Sequence, residues 1–145
     1  MKIKICSWLY SLFLLMLSFP VCAESWLTIG IGASGDRYYY DAASVSKNAE
    51  NRVTYWGKVE YESAGGILQA IQMRRSLGLK TAGYSNLKAS FALDEMDCTG
   101  RRARNLASKD VDRSGKVLDQ QRLSGSWNEI SPGTIYDRIF SLVCH

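Results

Sequence analysis

The chain has 145 residues, 18 of them lysine or arginine and 14 aspartate or glutamate, for a formal charge of +4. That length suits a single domain, and so small a basic excess makes no strong case for nucleic acid. The single histidine, His145, ends the chain, where a fixed catalytic geometry is hard to hold.

Lys2 and Lys4 open the chain, an apolar run follows from Trp8 to Phe19, and Val21-Cys22-Ala23 places small residues before a cut after Ala23. This is the layout of a secretory signal peptide over residues 1–23, and its apolar core is too short to span a bilayer. A lipid-anchored export signal would need a small residue directly before the cysteine, whereas Cys22 follows Phe19-Pro20-Val21. The expected product is one exported domain, residues 24–145, with no membrane span, in the periplasm or at the cell surface or outside it. It keeps 16 basic and 14 acidic residues. Cys6 and Cys22 leave with the signal, so Cys98 and Cys144 remain as two thiols in an oxidising compartment. One disulfide is the default reading. A metal centre would need more ligands than two cysteines without nearby histidines supply, and no cofactor is expected.

Beyond the cut most segments read as strands. "SWLTIGIG" (Ser25 to Gly32) is β-rich, and "DRYYYD" (Asp36 to Asp41) follows a glycine turn. In "NRVTYWGKVEYE", Val53, Tyr55, Val59 and Tyr61 share one face and Thr54, Trp56, Lys58 and Glu60 the other. "SNLKASFALDEMDC" puts Leu87, Ala89, Phe91 and Leu93 on one face. Met96 and Cys98 have the opposite parity, which asks for a bulge or change of phase. "RRARNLASKDV" and "VLDQQRL" form a hairpin with Ser114-Gly115 in its turn. The Gly65 to Gly83 stretch, punctuated by glycines, reads as a short helix or a mobile loop. At the end, Ser131 is the expected N-cap and Pro132 the first helical residue. Ile135, Ile139 and Val143 then lie beside Tyr136, Phe140 and Cys144 in one apolar stripe. The fold class is α+β: a mainly antiparallel β-sheet with a C-terminal α-helix packed on one face. A bond between Cys144, in the last helical turn, and Cys98, at a strand end, would pin that helix to the sheet.

Several motifs have plainer readings. "GIGASG" (Gly30 to Gly35) matches a dinucleotide fingerprint, but a strand follows where a helix is needed, so it is a glycine turn. "DVDRSG" (Asp110 to Gly115) mimics half a calcium loop, but Gln121 stands where a glutamate belongs, and a hairpin turn is favoured. Asp94, Glu95 and Asp97 read as a solvated acidic run, and neither they nor any serine makes a case for catalysis. The tryptophans read mostly as core. Three consecutive tyrosines, Tyr38, Tyr39 and Tyr40, cannot all face one side of a strand, so at least one belongs to an edge or partner surface. Arg101, Arg102 and Arg104 read as a solvated surface or a basic patch, with Arg102 and Arg104 on one strand face and Arg101 off it.

Trp26, "YYYDAASV" (Tyr38 to Val45), "NRVTYW" (Asn51 to Trp56), "EMDCTGRRARNL" (Glu95 to Leu106), "SGSWNEISPGT" (Ser124 to Thr134) and the late cysteine together resemble the surface-adhesin protein E domain of proteobacteria. The resemblance implies an antiparallel sheet, a C-terminal helix held by the same disulfide, a homodimer, and adhesion to host plasma and matrix proteins. The expected function is therefore that of a non-enzymatic module binding a protein partner, a host extracellular or bacterial envelope protein. Tyr38, Tyr39, Tyr40, Arg101, Arg102 and Arg104 are its candidate contacts. The alternative is a periplasmic inhibitor of a cell-wall-degrading enzyme, with Gly65 to Gly83 as the loop entering the cleft.

Overall fold

A computed structural model describes residues 25–145; the expected signal peptide and its cleavage point lie outside them. Strands β1 (Trp26–Ile31), β2 (Arg37–Asp41), β4 (Arg52–Glu60), β5 (Leu87–Asp97), β6 (Arg102–Asp112) and β7 (Val117–Arg122) form one antiparallel sheet in the order β1-β2-β4-β5-β6-β7. Two short strands join it: β3 (Ser46–Lys47) pairs with β4, and β8 (Asn128–Glu129) with β6. Helix α1 (Ala64–Ser76) links β4 to β5, and helix α2 (Ile135–Val143) follows β8. "GIGASG" runs from the last two residues of β1 into the turn before β2, and Ser114-Gly115 turns β6 into β7, with Gly115 at φ +84°.

The alternation in β4 sorts the whole sheet. Val53, Tyr55, Gly57 and Val59 stand opposite Met96, Asp94, Ala92 and Ser90 of β5 on one face. Thr54, Trp56 and Lys58 stand opposite Glu95, Leu93 and Phe91 on the other. The first face is the core: Val53, Tyr55, Met96 and Ala103 are buried with Ile139, Phe140 and Val143 of α2. Helix α1 covers the same face further along. Its Arg74 pairs with Asp110, which stands across from Ser90, itself across from Val59. Ile67 of α1 packs there with Tyr84 and Leu87. Both helices thus form one layer, and among the described residues the opposite face of the sheet carries none. The change of phase expected at the acidic end of β5 is not present: β5 pairs with β4 without a shift from Ala89 to Asp97, so Met96 shares the core face with Ala92 while Phe91 and Leu93 take the other, and the irregularity lies in β6, which holds the extra residue Leu106.

Two expected boundaries need correction. Helix α2 begins at Ile135, not Pro132, and its N-cap is Thr134, whose Oγ1 accepts from the Asp137 N–H at 3.2 Å. Gly133 takes φ +77°, a left-handed conformation that no continuous helix from Pro132 can contain. The Gly65 to Gly83 stretch is mostly helix α1, held by Ile67 and Arg74, so the protruding loop that the inhibitor reading required is not what this segment forms. The disulfide joins Cys98, just past β5, to Cys144 at the end of α2, with Cα atoms 5.5 Å apart.

The start of α1 shows why two adjacent glycines differ. The side chain of Asp36, 2% exposed, accepts from Ser34 Oγ at 2.5 Å and from the Glu62 N–H at 3.1 Å, against the first turn of α1. A Cβ on Gly66 would lie 2.0 Å from its Oδ2, whereas one on Gly65 meets only Ser63 Oγ at 3.7 Å. In a helix interior alanine is better than glycine by about 1 kcal/mol, so propensity favours both substitutions. Gly65→Ala is therefore expected to stabilise by up to about 1 kcal/mol. Gly66→Ala must displace a buried carboxylate, and a net loss of about 2 kcal/mol is expected. Urea unfolding of the two variants side by side checks the opposite signs.

Candidate partner surface and a buried carboxylate

The helix-free face of the sheet is aromatic and basic. Trp26 meets Phe91 edge-on, ring centroids 5.8 Å apart, and Trp56 stands beside Leu93. These line a wide shallow hollow of about 1060 Å³ that also takes in Leu106 and Lys109. Lys58 Nζ lies 4.8 Å from the Trp26 ring and 4.5 Å from the Tyr39 ring, and Lys109 Nζ lies 5.3 Å from Phe91. At the far end Trp127 is covered by three guanidinium groups, those of Arg104, Arg102 and Arg52, at 4.5, 5.1 and 5.6 Å from its centroid. The register explains the gathering: Arg52, Asp97 and Arg102 stand abreast across β4, β5 and β6, with Arg104 opposite Glu95 one pair along. Arg104 pairs with Glu95 at 2.6 Å and Arg102 with Asp97 at 2.9 Å, so each arginine bonds a carboxylate while its plane lies over the indole. The Asp97 carboxyl is held below its usual range chiefly by the Gly100 N–H, and then by Arg102. The Glu60 carboxyl is likewise lowered, mainly by its hydrogen bond from Lys58.

The expected contact residues do not form one surface. Tyr39 stands opposite Lys58 on the open face, while Tyr38 and Tyr40 stand opposite Val59 and Gly57 on the helix face. Arg101 belongs to the turn after β5, where it pairs with Asp137 of α2 and lies 4.7 Å from the Phe140 ring. Only Arg102 and Arg104 reach the open face together. The tryptophans correct the core reading: Trp26, Trp56 and Trp127 are all half-buried on the open face, outside both buried clusters. Their size suggested a core position, but strand parity decides, and theirs is opposite to Val53 and Tyr55.

The acidic run is also corrected. Asp94, Glu95 and Asp97 are 5%, 8% and 7% exposed, not solvated. Glu95 and Asp97 are charge-paired on the open face. Asp94 points the other way, among neutral groups: Tyr55 OH donates to it at 3.2 Å, Tyr136 OH at 3.4 Å, and Asn105 Nδ2 donates to its Oδ1. Burial pushes the Asp94 carboxyl up to about 6 against the opposing pull of these three donors. Burial beside Asp94 raises Tyr55 well above the usual tyrosine value and carries Tyr136 up to about 12. Asp94 opens onto a cavity of about 280 Å³ between the sheet and α2, walled by Ile29, Val59, Ala92, Ile135 and Ile139. The parity that singled out Met96 was the available signal for Asp94, two residues earlier on the same face.

The family model described as Surface-adhesin protein E matches residues 26–145. Among solved structures, Haemophilus influenzae protein E aligns with a TM-score of 0.54 at 12% identity, covering 83% of this chain and 83% of that one. Its selenomethionine form gives 0.54 at 12% identity over 83% and 85%. Protein E from non-typeable Haemophilus influenzae gives 0.52 at 8% identity over 83% of this chain and 75% of that chain. Identities this low speak for the fold alone. The comparison with curated proteins finds no match. Because the family model spans every strand, both helices and the disulfide just described, the chain belongs to the surface-adhesin protein E family.

Proposed function

We propose that this chain is an exported, non-enzymatic protein-binding module whose contact surface is the helix-free face of the sheet. One observation carries the reading: three tryptophans and Phe91 lie partly exposed along a sheet face that no helix of the described residues covers. Tryptophan and arginine are the residues that dominate binding energy where they are desolvated by a partner. On this face Arg37, Arg52, Lys58, Arg102, Arg104, Lys109 and Arg122 outnumber Asp41, Glu60, Glu95, Asp97 and Glu129. The complementary partner is a protein segment with carboxylates set among apolar side chains, from a host extracellular protein or the cell envelope. The disulfide and the adhesin family support an exported, surface-facing module.

The test is capture from host-matrix and envelope protein extracts, followed by affinity measurement for whatever is retained. Trp56→Ala and Lys109→Glu are expected to weaken that affinity by tenfold or more, about 1.4 kcal/mol. Leu68→Ser, on the exposed side of α1, is expected to leave it unchanged. Equal affinity of wild type and both open-face variants would refute the assignment.

A further inference from the structure

The cavity on the helix side has no part in the open-face reading. Its floor is made of small residues, because Gly57 and Ala92 stand opposite each other in β4 and β5. A Cβ on Gly57 would meet Asp94 Oδ2 at 3.8 Å and Tyr55 at 3.7 Å, ordinary contact distances, so glycine here leaves room that nothing fills. The walls are aliphatic, from Ile29, Val59, Ile135 and Ile139. Tyr38, Tyr55, Tyr136 and Ser90 also line it, as do Tyr39 and Lys58, whose ammonium lies over the Trp26 and Tyr39 rings, and Tyr136, 40% exposed, stands at the rim.

Asp94 differs from the other buried carboxylates. Glu95 and Asp97 each hold an arginine, and Asp36 sits at the start of a helix. Asp94 pairs with no cation among the described residues; its partners are two phenols and an amide. A carboxylate has about four acceptor positions, so three donors leave one open. An anion kept out of water without a counter-ion is costly, and a cation placed beside it recovers that cost. Tyrosine faces nearby attract an organic cation further.

We propose that this cavity is a binding site for a small organic ammonium with an apolar body, its charged head on Asp94 and its body between the sheet and α2. Size limits the class. A cavity of 150 Å³ holds benzene, so about 280 Å³ admits about ten heavy atoms. An arylalkyl primary amine fits, whereas a peptide or a lipid chain does not.

The probe is 2-phenylethylammonium, with 2-phenylethanol as its neutral counterpart, titrated into the disulfide-intact exported protein at pH 8 by calorimetry and by NMR of the isoleucine methyls. The amine is expected to shift Ile29 and Ile139 and to bind at least about tenfold more tightly than the alcohol, a preference of about 1.4 kcal/mol. Asp94→Asn is expected to abolish that preference while the alcohol still binds. Gly57→Ala, whose Cβ makes no clash, narrows the floor and is expected to weaken both ligands. Retained preference in Asp94→Asn, or no amine-induced shift at Ile29 and Ile139 in the wild type, overturns the assignment. Open-face variants serve as a control, since losing partner capture leaves amine binding untouched.

Discussion

Replacing Cys98 and Cys144 together by alanine is expected to lower the unfolding free energy by about 4 kcal/mol, the largest effect of any change considered. The bond closes a loop with a sequence separation of 46, and chain-entropy arguments place such a loop between about 3 and 5 kcal/mol. A domain of this size has only about 5–15 kcal/mol in total, so the loss is a large fraction of it. Local structure points the same way. Helix α2 has nine residues, too few for a stable isolated helix, and depends on burying Ile139, Phe140 and Val143. Without the bond its last turn is tied only by that contact. The amides of α2 are therefore expected to lose hydrogen-exchange protection before those of β4 and β5. Urea unfolding of wild type and the double variant, with and without reductant, measures the effect. Identical midpoints would show that the sheet and helix hold together unaided. Because α2 lies on the face opposite the tryptophans, partner capture is expected to survive wherever the variant remains folded.

The parts of this molecule that were legible in its sequence are those where one local pattern has one outcome. Strict alternation in β4 assigned Val53 and Tyr55 to one face and Trp56 to the other before any partner strand was known. The double stripe on α2 and the two cysteines left after export likewise implied a helix pinned to a sheet. What escaped depends on neighbours distant in the chain. Helix α1 hides its nature because its apolar residues lie all round it: Ile67 and Ile71 pack inward while Leu68 and Met73 are exposed. Asp94 and Glu95 read as part of a solvated run because their donors come from elsewhere, Tyr55 from β4, Arg104 and Asn105 from β6, and Tyr136 from α2, while Asp97 adds Arg102 of β6 to the local N–H groups of Thr99 and Gly100. The tryptophans were assigned to the core by size, although their parity already opposed it. The open face follows only when β4, β5 and β6 are placed in register, which brings Arg52, Arg102 and Arg104 around Trp127.

Between pH 8 and pH 5 the wild-type protein is expected to become more stable by about 1.4 kcal/mol, half of a rise that is complete only near pH 4, and Asp94→Asn is expected to remove that rise. The sign follows from proton linkage. The folded state raises the Asp94 carboxyl to about 6, whereas an unfolded aspartate titrates near 3.9, so the folded state binds the proton more tightly. The resulting stabilisation is fully present below about pH 4 and is lost as pH rises through 6. Two pH units at 1.36 kcal/mol each set the ceiling of about 3 kcal/mol. Asp97, Asp112, Asp119 and Asp137 have the opposite shift, lowered by their hydrogen bonds. Their stabilisation is present above about pH 4 and is lost only below it, so the two trends occupy separate windows and stability peaks near pH 4. Asparagine keeps the shape of the side chain and its carbonyl still accepts from Asn105. Its amide can donate to the Tyr55 or Tyr136 oxygen, but the buried Tyr55 O–H then gives up its acceptor, a cost that is the same at every pH below the tyrosine range. The variant is therefore expected to gain on wild type in urea at pH 8 relative to acid, with the gap halved at pH 5 and closed near pH 4. Parallel pH profiles for the two proteins would mean that Asp94 is already neutral or already compensated. Addition of 2-phenylethylammonium at pH 8 supplies the missing counter-ion, and it is expected to raise the wild-type midpoint toward that of the variant and to raise the variant's by less.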